Sequence, residues 1–134
     1  MTAVLVDSNV LLDVLTGDPV WAARSGASLE DVVSNSVPVI NPVIYAEVSI
    51  GFRRIEDLDD AVPPDVFRRE PLPWPAGFLA GKSFVDYRRR GGPRQAPLPD
   101  FYVGAHAAVA GYRLLTRDRA RYRTYFPSVE LLAP

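Results

Sequence analysis

The run Ala3-Val4-Leu5-Val6 ends abruptly on the polar triplet Asp7-Ser8-Asn9. Four apolar residues, two of them β-branched, suit a short buried strand. The following Val10-Leu11-Leu12-Asp13-Val14-Leu15 changes to helical spacing and stops before Gly17. A strand that feeds straight into a helix restricts the chain to few architectures, and the pattern recurs. Val37-Pro38-Val39-Ile40 reads as a second strand, with Pro38 confined to an edge or to the first positions. Arg113-Leu114-Leu115-Thr116 and Ser128-Val129-Glu130-Leu131-Leu132 read as two more. Strands alternating with helices imply right-handed crossovers and a parallel sheet with helices on both faces. The expected fold is therefore a single three-layer α/β/α domain over residues 1–134.

The helices carry their own punctuation. Asp18-Pro19 marks a start for a helix running to about Asn35. Asn41-Pro42 repeats the signal for Val43–Ile50, which Gly51 closes. From Phe52 to Pro73 the chain is polar and proline-rich, with room for a short helix from Glu56 to Ala61. Trp74–Arg90 reads as a longer helix, broken by Gly91-Gly92-Pro93. Asp100 opens a helix to Ala110 whose small residues allow close packing on a sheet.

Composition narrows the function. There is no cysteine, which excludes disulfides, zinc–thiolate sites and thiol catalysis. No apolar run approaches the roughly 18 residues of a membrane span, and no basic segment precedes the first apolar run as in a signal peptide. The expected location is the cytoplasm, with no membrane partner. The formal net charge of −1 conceals segregation, for 14 of the 15 basic residues are arginine. One basic stretch holds Arg88, Arg89, Arg90 and Arg94; a second holds Arg113, Arg117, Arg119, Arg121 and Arg123. Arginine's planar fork suits phosphate better than lysine's point charge.

Four acids stand at positions that a parallel sheet can bring together. Asp7 and Asp118 each follow a strand, where ligands bind in open α/β sheets. Asp100 opens the helix leading into the second of those strands, and Glu47 lies in the helix after Ile40. Four carboxylates in one crevice repel one another and raise each other's pKa values. A hard divalent cation relieves that repulsion, and Mg²⁺ and Mn²⁺ favour such oxygen ligands. With no cysteine and a single histidine, zinc is disfavoured. Such a site can activate water and shield a phosphodiester's charge, with one or two metals.

Four segments then resemble, in order and over nearly the whole chain, the acidic motifs of PIN-domain nucleases. They are Asp7-Ser8-Asn9, Ile44-Tyr45-Ala46-Glu47-Val48, Pro99-Asp100-Phe101-Tyr102-Val103-Gly104-Ala105-His106-Ala107 and Leu115-Thr116-Arg117-Asp118-Arg119. The likeness is greatest to VapC-type ribonuclease toxins of type II toxin–antitoxin modules. It implies a Mg²⁺- or Mn²⁺-dependent ribonuclease acting on RNA, a homodimer, and inhibition by a cognate antitoxin. By position, Asp7, Glu47, Asp100 and Asp118 would be the catalytic, metal-holding carboxylates. Asn9 and Thr116 would orient them, and Ser8 stands where the family often has threonine. No further acid follows Asp118 within the next turn, where some relatives have one. Arg88, Arg89, Arg90, Arg94, Arg117 and Arg119 are candidates for holding flanking phosphates of single-stranded or looped RNA. Tyr102, Tyr122 and Tyr125 are candidates for stacking on bases.

Plainer roles stand beside these. Asp7 and Asp100 suit helix caps, His106 suits packing or hydrogen bonding, and Asp13 and Asp86 read as surface residues. A PIN-like fold that has lost activity and serves as an RNA- or protein-binding module is the alternative function. A phosphotransfer domain with Asp7 as nucleophile lacks the second acid after Asp7, and its lysine would have to be Lys82, in a surface helix.

Overall fold

A computed structural model describes residues 1–134. In chain order the elements are β1 (Ala3–Val6), α1 (Ser8–Thr16), α2 (Ala22–Asn35), β2 (Val37–Ile40), α3 (Pro42–Ser49) and α4 (Ile55–Ala61). There follow β3 (Arg68–Arg69), α5 (Trp74–Arg89), α6 (Pro99–Ala110), β4 (Arg113–Leu115), α7 (Arg119–Tyr125) and β5 (Leu131–Leu132). The five strands form one parallel sheet in the order β3-β2-β1-β4-β5. β1 is central, as an uninterrupted apolar run predicts, and Val4, Leu5 and Val6 are fully buried. Its register sets Leu5 beside Val39 on one side and Val6 beside Leu115 on the other. The carboxyl ends of β1 and β4 therefore lie side by side. No helix is long and apolar enough to cross a membrane.

Local chemistry explains most of the boundaries. Gly17 and Gly111 end α1 and α6 in the left-handed region, at φ 64° and 70°. Asn41 caps α3 by accepting a hydrogen bond from the Ile44 amide at 2.9 Å, with Pro42 in the first turn. Pro38 sits inside the sheet, yet costs no ladder bond. The Val37 amide donates to Thr2 on the β1 side, so the next backbone nitrogen faces β3, which reaches only Val39 and Ile40.

Several boundaries differ from those the sequence suggests. Asp18 does not begin α2; its carboxylate accepts from the Val20 and Trp21 amides in a turn, and the helix starts at Ala22. α6 starts at Pro99, so Asp100 lies within the first turn and Leu98 holds the cap position. β5 is confined to Leu131–Leu132, because Val129 turns back to bond the Phe126 carbonyl. β3 was not expected in the polar Phe52–Pro73 segment, and neither was α7 after Asp118.

Asp13 is the clearest correction. It is 3% exposed rather than superficial. Its Oδ2 accepts from the Ser25 hydroxyl at 2.6 Å and faces the Arg117 guanidinium at 2.9 Å. One carboxylate thus ties α1 to α2 and to the loop after β4. Asp86, by contrast, is a surface residue paired with Arg90 at 3.2 Å. Gly104 marks the closest approach of α6 to the C-terminal segment, where a Cβ would lie 2.3 Å from the Phe126 ring. Because Asp13→Ala leaves Arg117 and Ser25 without their partner, it should cost about 2 kcal/mol. Thermal unfolding should then fall by roughly 5–10 °C; a shift under about 1 °C would restore the surface reading.

Candidate active site

The site begins where β1 runs out. The Asp7 amide still donates to the Leu115 carbonyl at 2.9 Å, so the ladder to β4 carries this residue one step beyond the strand. Its carboxylate is 2% exposed and fully engaged. Oδ1 accepts from the Ser8 amide at 2.8 Å, which also caps α1. Oδ2 accepts from the hydroxyls of Thr116 (2.8 Å) and Tyr122 (2.9 Å) and, more weakly, from the Asn9 amide group (3.4 Å). Thr116 in turn accepts from Asn9 Nδ2 at 3.3 Å and from the Asp118 amide at 3.0 Å. Asn9 Oδ1 accepts from the Arg117 amide at 3.3 Å. Burial pushes Asp7 above the usual carboxylate range, while the Thr116 and Tyr122 hydroxyls pull it back down without cancelling the rise.

The other acids approach from separate elements. Glu47, on α3, accepts from the Ser8 hydroxyl at 2.9 Å through Oε1. Partial burial raises its pKa, and the charge of Asp100 adds to the rise. Asp100 itself is pushed up to about 6, first by burial and then by the charge of Asp7, with Arg121 opposing and Asp118 reinforcing. Asp118 is more open, with 44% of its side chain exposed. A crevice of about 550 Å³ lies over this group, lined by Glu47, Asp100, Tyr87, Arg94 and Arg121.

The four predicted carboxylates are therefore brought to one end of the sheet from four different places, with Ser8, Asn9 and Thr116 between them. No three of them stand close enough, as the side chains lie, to ligate one ion. Their chemistry nevertheless suits a hard divalent cation. Asp100 and Asp118 accept no hydrogen bond, Glu47 keeps Oε2 free, and burial, reinforced by neighbouring carboxylate charge, leaves Glu47 and Asp100 with raised pKa values.

The arginines divide differently from expectation. Arg94 does line the crevice. Arg88 instead donates to the carbonyls of Gly92 and Arg94 at 2.9 and 2.8 Å, holding the loop that carries Arg94. Arg90 pairs with Asp86, and Arg117 pairs with Asp13 while stacking on Trp21 at 4.9 Å. Arg89 and Arg119 are exposed. Tyr122 is fully buried against Asp7 and presents no face to a base; Tyr125 packs edge-on against Phe101 and Tyr87, whereas Tyr102 is only half-buried. His106 is buried as a hydrogen-bonding residue. With Asn41 Oδ1 taken by Ile44, Asn41 Nδ2 donates to His106 Nδ1 at 3.0 Å, and burial lowers the imidazole's pKa. That bond steadies the start of the helix bearing Glu47.

For two residues here the sequence did not reveal the contact with the acids. Arg121 lies 3.7 Å from Asp100 and 3.9 Å from Asp118. Its i,i+3 spacing from Asp118 was visible, but only α7 turns that spacing into proximity. Tyr122, next to it, donates to Asp7 from across the sheet's end.

The chain resembles several solved structures along nearly its full length. VapBC2 from Rickettsia felis bound to a DNA fragment from its promoter matches with a TM-score of 0.73 at 14% identity, covering 98% of each chain. VapBC-1 from nontypeable Haemophilus influenzae gives 0.72 at 16% identity and 98% coverage of each. FitAcB from Neisseria gonorrhoeae gives 0.67 at 19% identity and 96% of each. At these identities the likeness is one of fold. No curated protein matches the sequence. The family model for the PIN domain, however, matches residues 4–127, a span that takes in Asp7, Glu47, Asp100 and Asp118, and the chain belongs to the PIN domain family.

Proposed function

We propose that the chain is a Mg²⁺- or Mn²⁺-dependent endoribonuclease, the toxin of a toxin–antitoxin pair. The observation that supports this reading is the gathering of Asp7, Glu47, Asp100 and Asp118 at the carboxyl end of the sheet, beside a crevice that Glu47 and Asp100 line, with the first three all raised in pKa. Structural carboxylates are ordinarily paired with cations or donors that lower their pKa; neighbouring acids buried enough to have raised values are an expense a fold tolerates for function.

In this reading one or more of Asp7, Glu47, Asp100 and Asp118 would hold the cation. Once bound, the ion would neutralise phosphodiester charge and make a water acidic enough to attack. The chain's own contribution is orientation. Thr116, Tyr122 and Ser8 fix Asp7 against rotation, and the Ser8 hydroxyl fixes Glu47. In the metal-free chain burial and the charge of Asp7 raise the Asp100 pKa to about 6, and a bound cation would favour its ionised, ligating form. Arg94 and Arg121 flank the acids in the same crevice and supply planar donors for phosphate. An open crevice lined by acids and arginines suits a single strand whose backbone can bend into it, which favours single-stranded or looped RNA.

The structural neighbours include VapBC and FitAB assemblies, and this supports a cognate antitoxin as the partner. A homodimer acting in the cytoplasm completes the proposal.

Cleavage of RNA in Mn²⁺ should fall by at least about 100-fold in Asp7→Asn and in Asp100→Asn, while Asp86→Asn should cleave normally. Undiminished cleavage in both site variants would remove the chemistry from this crevice, and absence of cleavage by the wild type would favour the binding-module alternative. Asp100 also predicts a pH signature. Its pKa is about 6 in the folded chain against an ordinary 3.8, so the folded state binds the proton more tightly. Its contribution thus favours folding at low pH and is lost as pH rises through about 6. Chelator-treated protein should melt at a lower temperature at pH 7.5 than at pH 5.5, and Asp100→Asn should narrow that gap. An equal gap in both proteins would contradict the assignment.

A further inference from the structure

One guanidinium faces two of the four acids. Arg121 lies in the first turn of α7, with 32% of its side chain exposed. Its Nη1 is 3.7 Å from Asp100 Oδ2 and its Nε 3.9 Å from Asp118 Oδ2, with no hydrogen bond to either. The Tyr87 ring backs it at 5.9 Å. The other arginines nearby are committed elsewhere, Arg117 to Asp13, Arg90 to Asp86 and Arg88 to loop carbonyls. Arg94 lines the crevice but pairs with no acid.

We propose that Arg121 is a built-in counter-cation of the acid site, one that an incoming divalent ion must displace from Asp100 and Asp118. The proposal rests on the metal-dependent reading above. Two cations cannot share the same pair of carboxylates without repelling each other. The contacts are long and partly solvated, so they are weak and reversible, as a displaceable occupant requires. α7 sets the guanidinium's position through the i,i+3 step from Asp118, and the Tyr87 ring gives its planar face a backing that does not depend on the acids. A guanidinium released from the carboxylates stays in the crevice, beside Arg94, where its fork can meet a phosphate. The same residue therefore weakens ion binding and assists substrate binding.

The two effects have opposite signs in one variant. In the absence of RNA, Arg121→Gln should bind Mn²⁺ about three- to ten-fold more tightly than wild type, measured by electron paramagnetic resonance titration. Mn²⁺ should correspondingly raise its melting temperature further than that of wild type. At saturating Mn²⁺ the same variant should cleave RNA more slowly. Arg121→Lys keeps the charge and should stay near the wild-type Mn²⁺ affinity. Unchanged or weaker Mn²⁺ binding by Arg121→Gln would overturn the proposal while leaving a metal-dependent nuclease intact. So would a lysine variant that binds as tightly as the glutamine one, since packing rather than charge would then be at work. A wild type that neither binds Mn²⁺ nor cleaves would defeat both readings together.

Discussion

The Asp7 carboxylate is the joint on which the site is assembled. It is buried, so leaving its oxygens unbonded would be costly, and the fold supplies donors from three directions. The Ser8 amide comes from its own helix, Thr116 from the end of β4, and Tyr122 from α7. Satisfying one anion thus fastens the central strand to its neighbour and to the C-terminal helix. Thr116 extends the fastening, because the hydroxyl that donates to Asp7 accepts from the Asp118 amide. The position of the last acid is in this way set by the first.

The network has a counterpart on the opposite flank. Asp13, one helical turn and a half along α1, gathers Ser25 and Arg117. Arg117 lies between Thr116 and Asp118, so the loop after β4 is held from two sides, by its backbone toward Asn9 and by its side chain toward Asp13. Glu47 is held more lightly, by Ser8 alone, while its helix is anchored through Asn41 and His106. The result is graded freedom. Asp7 is rigid, Glu47 is tethered at one oxygen, and Asp100 and Asp118 have only a loose guanidinium against them.

What was legible in the sequence was mostly local. The strands that stop at Asp7 and before Asp118, and the helix that opens at Asp100, are local signals, and they pointed to three of the acids. Glu47, an ordinary-looking helix residue, stood out only through the ordered motifs. What escaped notice depends on partners remote in sequence. Asp13 looks like any polar residue on an amphipathic helix until α2 and Arg117 close over it. β3 consists of two exposed arginines, with no apolar alternation to announce it. α7 is too rich in arginine to show a helical apolar period, and without it neither Arg121 nor Tyr122 could be placed. Tyr122 carried no local mark separating a buried hydrogen-bond donor from an aromatic free to stack.

The two outermost strands of the sheet, β3 and β5, are each only two residues long. An incoming strand at either border would find too few free rungs to hold it, which shields the protein from edge-to-edge polymerisation. Any stable self-association of this molecule must therefore be made by side chains on its helical layers rather than by prolonging the sheet.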